Sequence, residues 1–261
     1  MLRPCPCLAD DWHHTIMMRI PRRVTLIPRD EVDSTNDCVL LLAGDGAPDW
    51  TVVQAGRQHS GRGSHGRAWQ SPAGNLYLSV LLRTRKSGKP QLSLVSALAV
   101  ADTVRDMVPA VPVTLKWPND VLLAGCKVSG ILLETSDEVV VIGVGINLAH
   151  APRRTSYAAT WIDHWRSGPV SIEEVRNRFL AALVRRVDTW TDHGFEPLRL
   201  AWLDRAHGLG DLVEVTENGT DRMSGRFSGL DREGCMLVTL PGGHARSIRS
   251  GTVRYLEEER A

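Results

Sequence analysis

Lys116-Trp117-Pro118-Asn119-Asp120-Val121-Leu122-Leu123-Ala124-Gly125-Cys126-Lys127-Val128-Ser129-Gly130-Ile131-Leu132-Leu133-Glu134 is the stretch on which the fold turns. Val113 to Trp117, Val121 to Leu123, Lys127 to Glu134 and, just beyond, Val139 to Leu148 read as strands joined by tight turns. Links that short can only connect antiparallel neighbours, because a parallel pair needs a crossover of a dozen or more residues. The middle of the chain is therefore an antiparallel meander.

Working outward, Leu92 to Met107 is rich in Ala, Leu and Val nearly all round, which predicts a buried helix. Earlier, Val24 to Ile27 reads as a short strand, and Asp33-Ser34-Thr35-Asn36 caps a helix over Asp37 to Ala43. Trp50 to Ala55 and Asn75 to Leu82 alternate like strands, separated by a Gly- and Arg-rich loop from Gly56 to Gly74. Downstream, Ser171-Ile172-Glu173-Glu174 is a capping box opening a helix to about Trp190, and Pro197 starts another that ends near Gly208. After that come brief strands over Asp211 to Val215, Met223 to Gly229, Cys235 to Leu240 and His244 to Ser250, the signature of a small β-barrel or sandwich. The fold class is α+β, a mainly antiparallel sheet with packed helices plus a small C-terminal barrel. The boundaries expected are a disordered tail over 1–22, a main domain over 23–206 and a second over 207–261.

The 261 residues, 43% of them hydrophobic, suffice for one sizeable core and a smaller one. Lys+Arg 31 against Asp+Glu 30 gives a net charge of +1, which disfavours a nucleic-acid binder. Cys5, Cys7, Cys38, Cys126 and Cys235 are odd in number and mostly scattered, unlike a secreted disulfide framework. No apolar run approaches the roughly 20 residues of a membrane span. The N-terminus has no apolar signal core, and Asp10 and Asp11 argue against a transit peptide, so the expected compartment is the cytoplasm. Cys5, Cys7, His13 and His14 match no common zinc spacing, and the segment reads as a tail or as an extension upstream of Met17 or Met18.

Gly61-Arg62-Gly63-Ser64-His65-Gly66-Arg67 contains a G-x-G-x-x-G, but the next regular element is a strand, whereas a dinucleotide turn must open a helix. Gly88-Lys89 is no P-loop, because Pro90 follows it and Arg83 stands where the first glycine belongs. What remains is a loop of small residues whose Arg62 and Arg67, with Arg57 nearby, can fork onto carboxylate or phosphate oxygens. Lys116 and Lys127 bracket a hairpin and can converge on one anion. Gly143 and Gly145 interrupt an apolar strand, which often marks close approach of a ligand or another backbone. Taken singly, these are also a solvated loop, two sheet-edge lysines and a β-bulge.

Taken in order, they are recognisable. Ser34-Thr35-Asn36, Gln54, the Gly61-to-Trp69 loop, Lys116 to Asp120, Lys127 to Glu134 and Gly143 to Asn147 resemble the catalytic domain of biotin protein ligases over Glu31 to about Pro152. The tail, with Gly229-Leu230-Asp231 and Ser250-Gly251, is similar to that family's small SH3-like domain. The resemblance implies a mixed, class II synthetase-like sheet and an ATP-dependent ligase. Such an enzyme joins biotin to a lysine of a biotin carboxyl-carrier protein through biotinyl-5'-adenylate. It implies Lys127 and Arg62 as catalytic cations. Biotin falls to Ser34, Thr35, Asn36, Gln54, Gly61, Arg62, Gly63, Ser64, Trp69, Lys127 and Gly130. ATP falls to Arg62, Arg67, Lys116, Asn119, Asp120, Lys127 and Asn147, with Mg²⁺ bridging phosphates and no metal ligand named.

One position departs from the family's pattern. Ser64 stands where arginine is common, and loss of a charge-assisted bond there would weaken retention of the adenylate by about 1.5–3 kcal/mol. His65 or Arg57 are the candidates to compensate. The rival readings are a lipoate or octanoate transferase of the same architecture, a biotin-sensing repressor and a silent binding module. Only about 22 residues precede Val24, too few for a helix-turn-helix, so no DNA partner and no membrane are expected. A homodimer through an exposed sheet edge remains open.

Overall fold

The computed structural model describes residues 19–256 except 153, 154, 156 and 218. The Cys5, Cys7, His13 and His14 cluster, and the tail expected over 1–22 apart from its last residues, lie outside the described residues.

The meander is β4 (Val113–Lys116), β5 (Asp120–Leu123), β6 (Cys126–Ser136) and β7 (Val139–Ile146). Each pairs antiparallel with the next, as the short links require. β3 (Leu76–Arg83) lies antiparallel on the other side of β7. β2 (Thr51–Gln58) joins β3, and β1 (Thr25–Val32) runs parallel to β2 after a crossover through α1 (Thr35–Gly44). The order β1-β2-β3-β7-β6-β5-β4 is therefore a mixed, mainly antiparallel seven-stranded sheet. Two strands outrun the sequence reading by three residues or more at one end. β1 continues through Arg29, Asp30 and Glu31, which stay exposed on an edge strand that needs no burial. β2 continues from Ala55 to Gln58 beside it.

Period-two alternation assigns the two faces of the sheet. Leu76, Leu78, Val80, Val140, Ile142, Val144 and Ile146 turn to the main core, with α2 (Gln91–Met107) packed over them. Of α2's 17 residues, those from Leu94 to Ala101 are all buried, consistent with a helix apolar on every side. α3 (Ile172–His193) covers α2 and starts where expected, its Ser171 hydroxyl accepting the Glu174 N–H at 3.3 Å. α4 (Glu196–Leu203) follows. On the opposite face, Val53, Leu81 and Val141 meet Val39 of α1, and the odd positions continue along β7 as Gly143 and Gly145. α1 covers only part of this face. The glycine end is left for something else.

β6 contains the decisive irregularity. Val121 pairs with Ser129 but Leu122 pairs with Lys127, so the register slips by one residue. A bulge of this kind inverts which side each residue faces. Ile131 faces the main core, but so does Val128, of opposite parity. Lys127 is thereby turned to the glycine face with Gly130, Leu132 and Glu134.

The C-terminal strands β8 (Leu212–Glu217), β9 (Asp221–Leu230), β10 (Met236–Thr239), β11 (Ala245–Ile248) and β12 (Thr252–Tyr255) form a five-stranded antiparallel sheet, ordered β11-β10-β9-β8-β12. β12 was not read from sequence. It is only four residues long, and Val253 is its one buried member besides half-buried Tyr255. Val213, Val215, Phe227, Met236 and Ile248 belong to the same core as α2. The Trp117 indole N–H donates to the Gly234 carbonyl at 3.1 Å, tying the second sheet to the meander.

Candidate active site

The uncovered end of the glycine face is a narrow cleft, open to solvent. Ser34, Thr35 and Asn36 reach it because α1 begins there, and all three are buried. The Ser34 hydroxyl makes no capping bond to the helix it precedes. Gln58 accepts from the Thr35 N–H at 2.9 Å and from its hydroxyl at 3.1 Å, and donates to Ser71 Oγ at 3.0 Å. Ser79 Oγ lies 2.7 Å from Thr35 Oγ1 and 2.5 Å from Asn36 Oδ1, and Asn36 Nδ2 donates to Glu134 at 2.5 Å. A Cβ at Gly143 would run into the Asn36 amide, so that glycine makes room for the network. The result is a fixed polar floor at the base of an otherwise apolar sheet face.

The Gly61-to-Trp69 loop folds over this floor as a small hairpin. Arg62 bridges Ala68, and Gly63 N–H donates to the Arg67 carbonyl at 2.7 Å. A helical turn over Ser64–Gly66 places His65 at φ 57°, a left-handed conformation uncommon outside glycine. Trp69 N–H donates to the Gly61 carbonyl at 2.8 Å and carries its ring into the trough above Gly130 and Gly145, which are direct cross-strand partners. A Cβ on Gly145 would lie 2.5 Å from that ring, and one on Gly130 2.9 Å. The expected close approach at Gly145 is thus made by the protein's own tryptophan.

Cations and carboxylates alternate around the rim. Arg62 donates two parallel bonds to Asp37, at 2.7 and 2.6 Å, and reaches Glu134 at 3.1 Å, which holds its guanidinium above the usual range. Lys127 Nζ stands 2.6 Å from Asp120 Oδ1, a charge contact without hydrogen-bond alignment. It also lies 5.5 Å from the centroid of Trp69 and 5.1 Å from that of Tyr157. Arg67 donates to Ser64, through Nε to the carbonyl at 3.2 Å and through Nη2 to the hydroxyl at 3.1 Å. Burial pushes the Lys116 ammonium down, Asp120 opposes this, and Lys127 and Arg67 add to it.

Of the residues expected in the site, Ser34, Thr35, Asn36, Arg62, Gly63, Ser64, Arg67, Trp69, Asn119, Lys127 and Gly130 line this one cleft. Others stand apart. Gln54, expected at the biotin ring, accepts from Arg176 of α3 at 3.3 Å on the far face of the sheet. The cleft's glutamine is Gln58, which the sequence reading missed by ending β2 too early. Gly61 supports Trp69 from behind, since a Cβ there would meet the Trp69 carbonyl at 2.6 Å. Asn147 is buried and donates to the Thr160 carbonyl at 3.0 Å. Lys116 and Asp120 lie behind the lining, in the hairpin register that pairs them. Arg57 pairs with Glu31 at 3.6 Å, away from Ser64. Tyr157 and Asp37 were also missed. Tyr157 arrives through an irregular segment that docks on β6, where Lys127 N–H donates to the Ala158 carbonyl at 2.8 Å. Among the described residues no group of three or more His, Cys, Asp or Glu side chains could hold a metal, and no helix is long and apolar enough to cross a membrane.

A mixed sheet joined to a smaller antiparallel one, with a cleft that sets cations and carboxylates above a polar floor, defines an α+β domain whose site suits an anionic ligand. Comparison with known proteins narrows this. The profile of the Biotin/lipoate A/B protein ligase family matches residues 29–147. A biotin–[acetyl-CoA-carboxylase] ligase of Paracoccus denitrificans is 38% identical over 230 residues, covering 81% of this chain and 92% of that protein. The structure is similar to a biotin protein ligase from Aquifex aeolicus in complex with biotin and ATP, with TM-score 0.78, 29% identity and coverage of 90% and 99% of the two chains. It is also similar to a Leishmania major biotin protein ligase in complex with biotinyl-5-AMP, with TM-score 0.62, 25% identity and coverage of 88% and 100%. The chain belongs to the biotin protein ligase family.

Proposed function

We propose that this chain attaches biotin to a lysine of a biotin carboxyl-carrier protein, using ATP and passing through biotinyl-5'-adenylate. A biotin carboxylate oxygen attacks the α-phosphorus of ATP and pyrophosphate leaves. The acceptor ε-amine then attacks the biotinyl carbonyl, its proton is lost and AMP leaves. Charge builds on phosphate oxygens in both steps, and preorganised donors aimed at that charge are the main catalytic resource. The observation that carries the reading is the convergence of Arg62, from the loop, and Lys127, re-aimed by the β6 bulge, on one cleft.

In this reading the ureido ring sits on the floor made by Ser34, Thr35, Asn36 and Gln58, under Trp69 and against Gly130. Arg62 and Lys127 meet the carboxylate and the α-phosphate. Arg67, Lys116 and Asn119 serve the nucleotide, and Asp120 sets Lys127. Ser34's uncapped hydroxyl and Gln58's place in the network support the floor assignment. Asn147, placed at adenine by the resemblance, acts instead through the backbone it supports. Mg²⁺ is proposed as an ion that arrives with the phosphates, because it usually takes one or two carboxylates plus phosphate oxygens. Asp120, just behind the lining, is the carboxylate that would share such an ion with the phosphates on releasing Lys127. The organisation proposed is a catalytic unit over 23–206 with a second module over 207–261, acting in the cytoplasm. The edge strand of the main sheet a homodimer would use is β1, since Leu115 of β4 is already bonded to the Arg205–His207 segment.

The deciding experiment is biotin-dependent exchange of pyrophosphate into ATP, followed by transfer of labelled biotin to a carrier domain. Lys127→Ala is expected to lower the rate by about 10²–10³, the cost of one preorganised donor. Exchange driven by lipoate instead of biotin would overturn the substrate assignment.

A further inference from the structure

Lys116, like Arg67, is a site cation without an ion pair among the described residues. It ends β4 opposite Asp120. Yet among the described residues no carboxylate lies within 4.0 Å of its ammonium, whereas Lys127 and Arg62 both have one. What it does have is a ring. Lys116 Nζ stands 5.4 Å from the centroid of Tyr255, the last residue of β12 in the C-terminal sheet.

That ring is fixed from several sides. The His207 imidazole packs edge-on against it, centroids 4.7 Å apart at 69°. Gly208, at φ +68°, lies so close that a Cβ there would enter the ring. The segment carrying His207 and Gly208 is itself stapled to the strand that carries Lys116: Leu115 N–H donates to the Arg205 carbonyl at 2.8 Å, and His207 N–H to the Leu115 carbonyl at 2.8 Å. The Tyr255 hydroxyl, by contrast, is buried and finds no hydrogen-bond partner among the described residues. The polar end of the side chain contributes nothing here, so the feature that suits this position is the π-face. A ring face holds an ammonium in place without neutralising it, as a carboxylate would.

We infer that Tyr255 is a positioning residue for the nucleotide, its ring holding the half-buried Lys116 ammonium, just behind the cleft lining, toward the polyphosphate. The inference rests on the proposed function and adds a role for the C-terminal sheet within the adenylation step. The departing pyrophosphate is the group so anchored, and once it has left, transfer to the acceptor no longer depends on Tyr255.

The test uses the full chain. In Tyr255→Leu, the KM for ATP in biotin-dependent exchange is expected to rise about five- to tenfold, the loss of one desolvated cation–π contact. Biotin affinity and transfer from supplied biotinyl-adenylate stay near the parent's. Tyr255→Phe keeps the parent's ATP kinetics and, having lost an unpartnered buried hydroxyl, melts no lower. Should Leu disrupt the seam, a trifluorinated phenylalanine at 255 keeps the shape and removes the ring's negative face, and the same rise in KM is expected. An unchanged KM in a folded Leu or fluorinated variant overturns the inference, as does an equal loss in transfer from supplied adenylate. A parent chain without biotin-dependent exchange would instead overturn the proposed function.

Discussion

Gly145→Ala tests whether the tryptophan lid depends on the glycine trough. The added methyl would lie 2.5 Å from Trp69 Cε2 and Nε1 and 2.7 Å from Cζ2, distances at which real Cβ atoms do not rest. The ring has little room to retreat. It lies as tightly over the cross-strand neighbour Gly130, where a Cβ would also come within 2.9 Å, and the Trp69 backbone is pinned by the 2.8 Å bond to Gly61. Overpacking of this kind costs about 1–3 kcal/mol. Taking about 2 kcal/mol, the melting temperature falls by about 4–8 °C for a domain of this size. The ring's other option is to swing out of the trough, which on the proposed function would open the roof over biotin. If about 1.4 kcal/mol of closure is lost, the KM for biotin rises about tenfold. Thermal melts, tryptophan fluorescence and exchange kinetics read the two routes separately. Gly168→Ala is the control, since nothing lies within 4 Å of a Cβ there. In a Trp69→Ala background the same substitution should be nearly harmless. A Gly145→Ala chain that melts and binds biotin like its parent, or one equally damaged without Trp69, would refute the reasoning.

Three further outcomes follow from the site. Asp37→Asn releases Arg62 from a pair whose partners are 38% and 44% exposed, so stability drops by only about 0.5 kcal/mol. Biotin's KM in exchange then falls about twofold because its carboxylate no longer competes with Asp37, and a rise would mean that Asp37 aims Arg62. Ser64→Arg should cut the free biotinyl-adenylate found in quenched reactions about tenfold or more, as a charge-assisted bond is gained; equal amounts in both chains would count against it. His207 is held below its ordinary pKa by burial and by Lys116, against Asp211. The unfolded state therefore takes up a proton first, so stability is present above the unfolded pKa of about 6.5 and is lost as pH falls through the folded value. His207→Gln should flatten the acid side of the melting-temperature profile, and an unchanged slope would exclude His207 as its source.

The fold was legible wherever periodicity and link length speak for themselves. The meander from β4 to β7 and the all-round apolar α2 needed no tertiary information. β12 was lost because four residues with little buried surface carry almost no signal. The site was legible through its glycines and cations but not through its partners. Gln54 and Gln58 sit on one strand, and choosing between them requires knowing that β2 extends past Ala55 and that α1 begins at Thr35 beside its end. Asp37 reads as an ordinary first-turn acid, and Tyr157 lies in a segment with no period at all. Lys127 was chosen for its place in a motif. Its actual aim depends on a bulge at Val128 that no alternation of apolar residues announces, because Val128 and Lys127 exchange faces relative to the rest of β6.

The arrangement of charge explains why the site carries so many carboxylates among its cations. Arg62 is fully engaged by Asp37 and Glu134, and Lys127 by Asp120, so the inner part of the cleft is close to neutral before any ligand arrives. An uncompensated cluster of buried cations there would be costly, since each would lose hydration without a partner. Arg67 on the exposed rim and Lys116 behind the lining differ from these, since neither has a carboxylate within 4.0 Å among the described residues. The two ends therefore ask different things of a ligand. A carboxylate entering at Arg62 must exchange with anions already there, which favours a substrate whose ring is also held by the polar floor. On the proposed function, a polyphosphate at the Arg67 and Lys116 end would meet cations that form no ion pair among the described residues, held by Ser64 on one side and by an aromatic face on the other. In that reading selectivity falls to the Arg62 end and charge attraction to the Arg67 and Lys116 end, as activation of one particular acid by a common nucleotide requires.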